Sequence, residues 1–201
     1  MNRIYIETTP PEKDKKTNEY RFFEFLLKLL NLEAELIGIG GKEKLKAFEN
    51  QFKDTTRSGY KNLVIIDADG EWNVENWNFE SECRKLEELK QELNVDFEVF
   101  FLPNHRLQGD FEALLEKIVA NSHKRVIDCH IQFENSIENY QEYVTPNRKA
   151  RIYSYITSFK RSHKQNENFK NRGDWFFDDR NLWDFSAEEL EPLKNFILTH
   201  C

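Results

Sequence analysis

KNLVIIDADG, residues 61–70, decides how this chain is read. An apolar run from Leu63 to Ile66 ends on two aspartates, Asp67 and Asp69, and then on Gly70. A short run rich in β-branched side chains and closed by a turn signal reads as a buried strand. Side chains alternate along a strand, so carboxylates at i and i+2 share one side, with Cα atoms about 7 Å apart. Two carboxylates so placed can share one hard divalent ion. Asp-Gly also terminates strands and caps turns, which is the competing reading of the same residues.

Upstream of this run, RIYI at 3–6 predicts a short strand that ends at Glu7, followed by a polar linker whose Pro10-Pro11 cannot be helical. Residues 19–30 crowd Tyr20, Phe22, Phe23, Phe25, Leu26 and Leu27 onto more than one face and predict a well-buried helix. Residues 34–39 predict a second strand that runs into Gly40-Gly41-Lys42 and a helix over about 42–52, marked by Leu45, Phe48 and Phe52. Beyond the central strand, Phe79, Cys83, Leu86, Leu89 and Leu93 recur at helical intervals, and VDFEVFFL at 95–102 predicts a strand halted by Pro103. Strands separated by single helices run parallel, so the fold class is α/β, a Rossmann-like parallel sheet of about four strands with flanking helices. Gly109-Asp110 opens a further helix carrying Phe111, Leu114, Leu115, Ile118 and Val119.

After residue 121 no strand pattern appears. Helices are expected around 128–143, 146–161 and 187–199, the last with Ser186 and Glu189 as a capping box. Between them GDWFFDDRNLWDF at 173–185 predicts an irregular strap that docks by burying aromatic rings, with nucleobase stacking as the alternative. The expected organisation is an α/β domain over 1–120 and a helical C-terminal extension over 121–201 packed on it.

Composition bounds the function classes. A chain of 201 residues, 39% hydrophobic and 14% aromatic with seventeen Phe, has material for a substantial core. The first residues lack the apolar length of a signal peptide and no run reaches the roughly 18 residues of a membrane span, so a cytoplasmic protein without a membrane partner is expected. Three cysteines, without a CxxC pair, indicate neither a disulfide framework nor a zinc ribbon. The net charge of −7 is unevenly spread: residues 147–172 hold Arg148, Lys149, Arg151, Lys160, Arg161, Lys164, Lys170 and Arg172 against the single acid Glu167. That window suits phosphate contacts, or a solvated face that balances acidic neighbours.

In a parallel α/β sheet the functional groups gather at the carboxyl ends of the strands. Glu7, Asp67 and Asp69 are expected at that edge, with Glu112 in the first turn of the helix after the fourth strand. Glu112 also suits the helix macrodipole, and Asp110 an N-cap. Carboxylates gathered at one edge repel unless they share a proton or a cation.

Together, YIE at 5–7, IDADG at 66–70 and GDFEALLEKI at 109–118 resemble the TOPRIM domain, shared by topoisomerases, DnaG-type primases and nucleases of the overcoming-lysogenization-defect type. The whole chain is similar to small standalone bacterial TOPRIM-like proteins, the core resemblance covering about residues 1–120. The resemblance implies that Glu7 is a metal ligand or general acid/base, that Asp67 and Asp69 are the Mg²⁺ pair, and that Glu112 is the additional acid of nuclease-type members. It implies one or two Mg²⁺ (or Mn²⁺) ions and hydrolysis of phosphodiester bonds in DNA or RNA. A basic residue assists such nucleases, for which Lys149 is the candidate and Lys42 the alternative. Lys42, Arg148, Lys149, Arg151, Lys160 and Arg161 are the candidate nucleic-acid contacts. Some relatives serve phage defence. One departure stands at Thr8, where the family carries glycine.

Other chemistries are less well served. Gly38-x-Gly40-Gly41-Lys42 has neither P-loop nor dinucleotide spacing, so no nucleotide cofactor is expected. The five histidines lack zinc-site spacing, and no nucleophile elbow occurs. Nucleotide-sugar glycosyltransferases also use Asp-x-Asp, but that reading leaves Glu7 and Glu112 without a role. A binding or regulatory module of TOPRIM type, acting with a protein partner such as an ATPase, is the non-enzymatic alternative.

Overall fold

The computed structural model describes residues 1–12, 15–68 and 78–201, so Asp69 and Gly70 lie outside the described residues. Four strands form one all-parallel sheet: β1 (Arg3–Ile6), β2 (Glu35–Gly38), β3 (Asn62–Asp67) and β4 (Glu98–Leu102), in the order β2-β1-β3-β4. Ile4 pairs with Leu36 on one side and Leu63 on the other, so β1 is held on both edges.

Helix α1 (Asn18–Leu30) joins β1 to β2 and begins at Thr17, whose hydroxyl accepts the Tyr20 N–H. It ends at Asn31 in the left-handed region, which asparagine tolerates. Tyr20 then donates its hydroxyl to the Leu36 carbonyl at 3.3 Å, occupying an acceptor on the β2 edge strand. The helix expected over 42–52 is two elements: a 3-10 helix over Lys42–Phe48 and α2 (Glu49–Arg57). Helix α3 (Phe79–Leu93) joins β3 to β4. Right-handed crossovers in opposite directions place α1 on one face and α2 and α3 on the other.

The strands' alternation fits this arrangement. Tyr5, Val64, Ile66 and Phe101 form one buried cluster with Phe52 and Phe97, against which Phe79, Cys83, Leu86 and Leu89 pack. Ile4, Ile6, Leu63, Ile65 and Phe100 turn the other way and are equally buried. Burial on both faces is the reason β3 reads as a continuous apolar run. The chain divides into two compact units, residues 1–111 with 190–201, and 112–189. The first unit therefore ends before the boundary expected at 120 and recovers the C-terminal helix α8 (Glu191–His200), whose Phe196 ring lies 5.3 Å from Phe100.

The C-terminal helices shift from expectation. After α4 (Phe111–Lys117), α5 spans Lys124–Ile137 and α6 spans Arg148–Thr157. The helix expected through 161 stops at Thr157, and a separate α7 (His163–Arg172) starts at a full Ser162–Gln165 capping box. The capping box expected at Ser186 and Glu189 does not form. Ser186 instead donates its N–H and hydroxyl to the Asp184 carboxylate, and α8 starts with Pro192 in its first turn. Within the second unit the 173–185 segment buries Trp175, Phe176, Phe177 and Trp183. Trp183 Nε1 donates to the Trp175 carbonyl at 2.9 Å, and Tyr155 of α6 donates to the Leu182 carbonyl at 2.6 Å.

One buried amide ties the amino-terminal end of the sheet together. Asn62 donates to the Phe52 and Asp96 carbonyls, both at 3.0 Å, and to Thr56 at 3.2 Å, while its Oδ1 faces the Tyr5 hydroxyl at 3.5 Å. Asn62→Ala removes these bonds, each worth about 0.5–1.5 kcal/mol net, although the Phe52 carbonyl keeps the Thr56 hydroxyl at 3.1 Å. Urea unfolding of this variant should show a loss of about 3 kcal/mol with an unchanged m-value.

Candidate metal centre

In the order β2-β1-β3-β4 the chain leaves β1 towards one edge and β3 towards the other, so the topological switch point lies between their carboxyl ends. Glu7 directly follows β1 and Asp67 is the last residue of β3. The Arg3 N–H donates to the Lys61 carbonyl, so odd-numbered residues of β3 face β1, and the rung after Ile65 falls at Asp67. There a side chain replaces the main chain: the Asp67 N–H donates to Glu7 Oε2 at 3.0 Å.

The other carboxylate oxygen reaches the neighbouring strand's exit. Glu7 Oε1 accepts the Lys42 N–H at 3.1 Å, at the first residue of the 3-10 helix, where Gly41 supplies no side-chain cap. One carboxylate thus joins the exits of β1, β2 and β3 through charge-assisted bonds. Thr8 is buried, its hydroxyl donating to Thr17 at 2.7 Å, and its carbonyl accepts the Gly40 N–H at 2.8 Å. A Cβ on Gly38 would lie 2.8 Å from the Thr8 oxygen and 2.9 Å from the Thr9 oxygen and Pro10 nitrogen, so glycine is required for this close approach.

Beside this edge, β4 is followed by His105, which no motif in the sequence singled out. Its ring stacks on Phe100 at 5.2 Å, and its Nδ1 accepts the Phe101 N–H at 3.2 Å, which fixes the neutral Nε2–H tautomer. Burial, with Arg106 nearby, lowers its pKa below the usual histidine value.

Among the described residues no three His, Cys, Asp or Glu side chains form a metal-ligand group. The structure brings Glu7 to Asp67. Asp69 lies outside the described residues, and Glu112, in the first turn of α4, belongs to the second unit. Ligands drawn from the Glu7 and Asp67 carboxylates would be oxygen only, a set of the kind that holds Mg²⁺ when waters and substrate phosphates complete its shell. A carboxylate accepts at about four positions, so holding two amides is compatible with ligating a cation.

The model of the family described as a protein of unknown function (DUF3226) matches residues 17–201. The chain belongs to this family. The match begins after β1, so Glu7 stands before its first residue. No curated protein and no solved structure matches the chain. Among the described residues of this family member, no helix is long and apolar enough to cross a membrane.

Its basic window is partly neutralised within the second unit. Arg151 donates from Nη1 to Glu116 at 2.6 Å and from Nε to Glu134 at 3.1 Å, with Nη2 on the other Glu134 oxygen. These carboxylates raise its pKa against the opposing effect of burial. Arg148 Nε lies 3.5 Å from Glu116. Arg161 donates to the Ile156 carbonyl and stacks 4.3 Å over Phe169. Lys149 and Lys160 are exposed, as are Lys164 and Lys170.

Two outcomes follow from this geometry. Glu7→Gln places an NH₂ donor against one of two N–H groups, so thermal or urea unfolding should show a loss of about 1–3 kcal/mol. His105 should make stability fall with acid. With a lowered native pKa the unfolded chain binds the proton first, so the contribution is complete above pH 6.5 and is lost as pH drops from there to the native value. His105→Asn, which suits the residue's φ of 63° and retains an acceptor, should flatten the slope of Tm against pH in that window.

Proposed function

We propose that the carboxyl edge between β1 and β3 binds a divalent ion, Mg²⁺ or Mn²⁺, through Glu7, Asp67 and Asp69, and that the protein hydrolyses phosphodiester bonds of DNA or RNA in the manner of TOPRIM-type nucleases. The observation that carries this reading is the Glu7 carboxylate bonded to the Asp67 amide at the switch point. An ion bound there would polarise a phosphoryl oxygen and lower the pKa of a bound water. Glu7 orients the Asp67 backbone and so sets the direction in which the end of β3 delivers the Asp67 carboxylate. The buried Thr8 hydroxyl and the Gly38 contact hold the Glu7 loop while substrate binds. Lys149 and Lys160, exposed at α6 and just beyond it, are assigned to phosphate contacts. Arg151 is assigned to holding α6 through Glu116 and Glu134.

A second reading is favoured by one observation. Both Glu7 oxygens already hold backbone amides, as they would in a TOPRIM-like module that has kept the fold for binding a protein partner such as an ATPase.

Asp67→Asn separates the two, because the Asp67 N–H that Glu7 accepts belongs to the backbone and survives. Calorimetric titration of Mg²⁺ and Mn²⁺ should show saturable binding in the wild type and at least a tenfold weaker one in Asp67→Asn. Cleavage of supercoiled plasmid or single-stranded RNA should be lost alongside. Absence of binding and cleavage in the wild type would leave the module reading.

A further inference from the structure

The second unit has a face that its own packing does not use. Helices α5 and α6 form a hairpin whose groove, about 410 Å³, is lined by Cys129, His130 and Phe133 from α5 and by Ala150 and Ser154 from α6, with Pro146 at its turn end. The Arg151–Glu134 pair lies at the groove and neutralises its polar lining. Beyond the groove the connecting segment carries Tyr140, Tyr143 and Val144, exposed by 55%, 57% and 91%, and Phe133 on α5 is 51% exposed. Large apolar side chains exposed together mark an interaction surface, and tyrosine and phenylalanine are typical of one.

We infer that this hairpin is a homodimer interface, the Tyr140–Val144 tip of one copy filling the α5–α6 groove of a second copy, and the reverse. Self-complementarity favours a second copy over other occupants. An exposed tip bearing Tyr140, Tyr143 and Val144 beside a groove on the same hairpin can satisfy a two-fold contact, in which residue i of one copy meets residue j of the other and j meets i. Charge points the same way. Residues 126–147 contain Asp128, Glu134, Glu138 and Glu142 with no lysine or arginine, and the basic window begins at Arg148. Glu134 is taken by Arg151, so the exposed Glu138 and Glu142 give the tip its negative sign; on the rim the exposed Lys149, beside Ala150 of the groove, is the cation that faces it, while the exposed Asp128, beside Cys129, lies in the first half of α5. Tip on groove sets these opposite signs against each other in both halves of the contact. Lys149 figures in both this interface and the proposed phosphate contacts, but the readout here is mass, which does not depend on phosphodiesterase activity.

Sedimentation velocity and light scattering across a concentration series test it on the full chain. The wild type should reach dimer mass, with a dissociation constant that rises with salt. Val144→Asp and Tyr143→Asp, both at exposed positions, should raise that constant at least about tenfold while far-UV circular dichroism stays unchanged. Glu142→Lys and Lys149→Glu should each weaken the dimer, and the double variant should recover it. A wild type that stays monomeric at every concentration overturns the proposal, whether the groove then takes a small molecule or another protein. A dimer unmoved by the tip variants, or a charge-reversed pair that does not recover, overturns it equally.

Discussion

The first unit hangs on a strand of four residues. β1 is bonded on both edges, to β2 and to β3, so it has no solvent-facing edge and both of its faces are covered. Parallel pairing with two neighbours requires the chain to cross back twice, and right-handed crossovers then assign the helices to faces. Tyr5 shows the consequence: its ring lies 4.4 Å from Phe52, and burial pushes its hydroxyl pKa up to about 12. Every other strand takes its register from β1 directly or through β3.

Where β1 stops, its ladder does not. Glu7 extends the hydrogen bonding by one rung, replacing a main-chain carbonyl with a carboxylate, and in doing so draws the β2 exit into the same junction. Negative charge is thereby held at the point where an α/β sheet opens a crevice. The same two bonds serve a structural purpose, and that is why the metal-dependent reading and the module reading share one geometry.

Much of the first unit could be read from the chain. The 63–66 run marked a strand because β3 is buried on both faces, and Phe79 to Leu89 marked a helix because one side of α3 covers the sheet. The 42–52 segment was legible as helical but not as 3-10, because Leu45, Phe48 and Phe52 satisfy either period over so short a span. The break between α6 and α7 carried its own signal in Ser162 and Gln165, hidden by the helical spacing on either side. At Ser186 the N–H that a capping box would direct to Glu189 is held instead by Asp184, two residues upstream.

Local periodicity, and the points where apolar runs stop, were enough for the alternation of strands and helices in the first unit, the parallel sheet and the placing of Glu7 and Asp67 at strand ends. Tertiary structure decided the rest. That Glu7 accepts from Lys42 and Asp67, 35 and 60 residues away, depends on strand order, which no local pattern encodes. That Arg151 is held by Glu116 and Glu134 depends on helix packing, so a charge surplus along the chain became a smaller one in space. Charges act through distance in three dimensions, and a window of sequence counts only neighbours along the backbone.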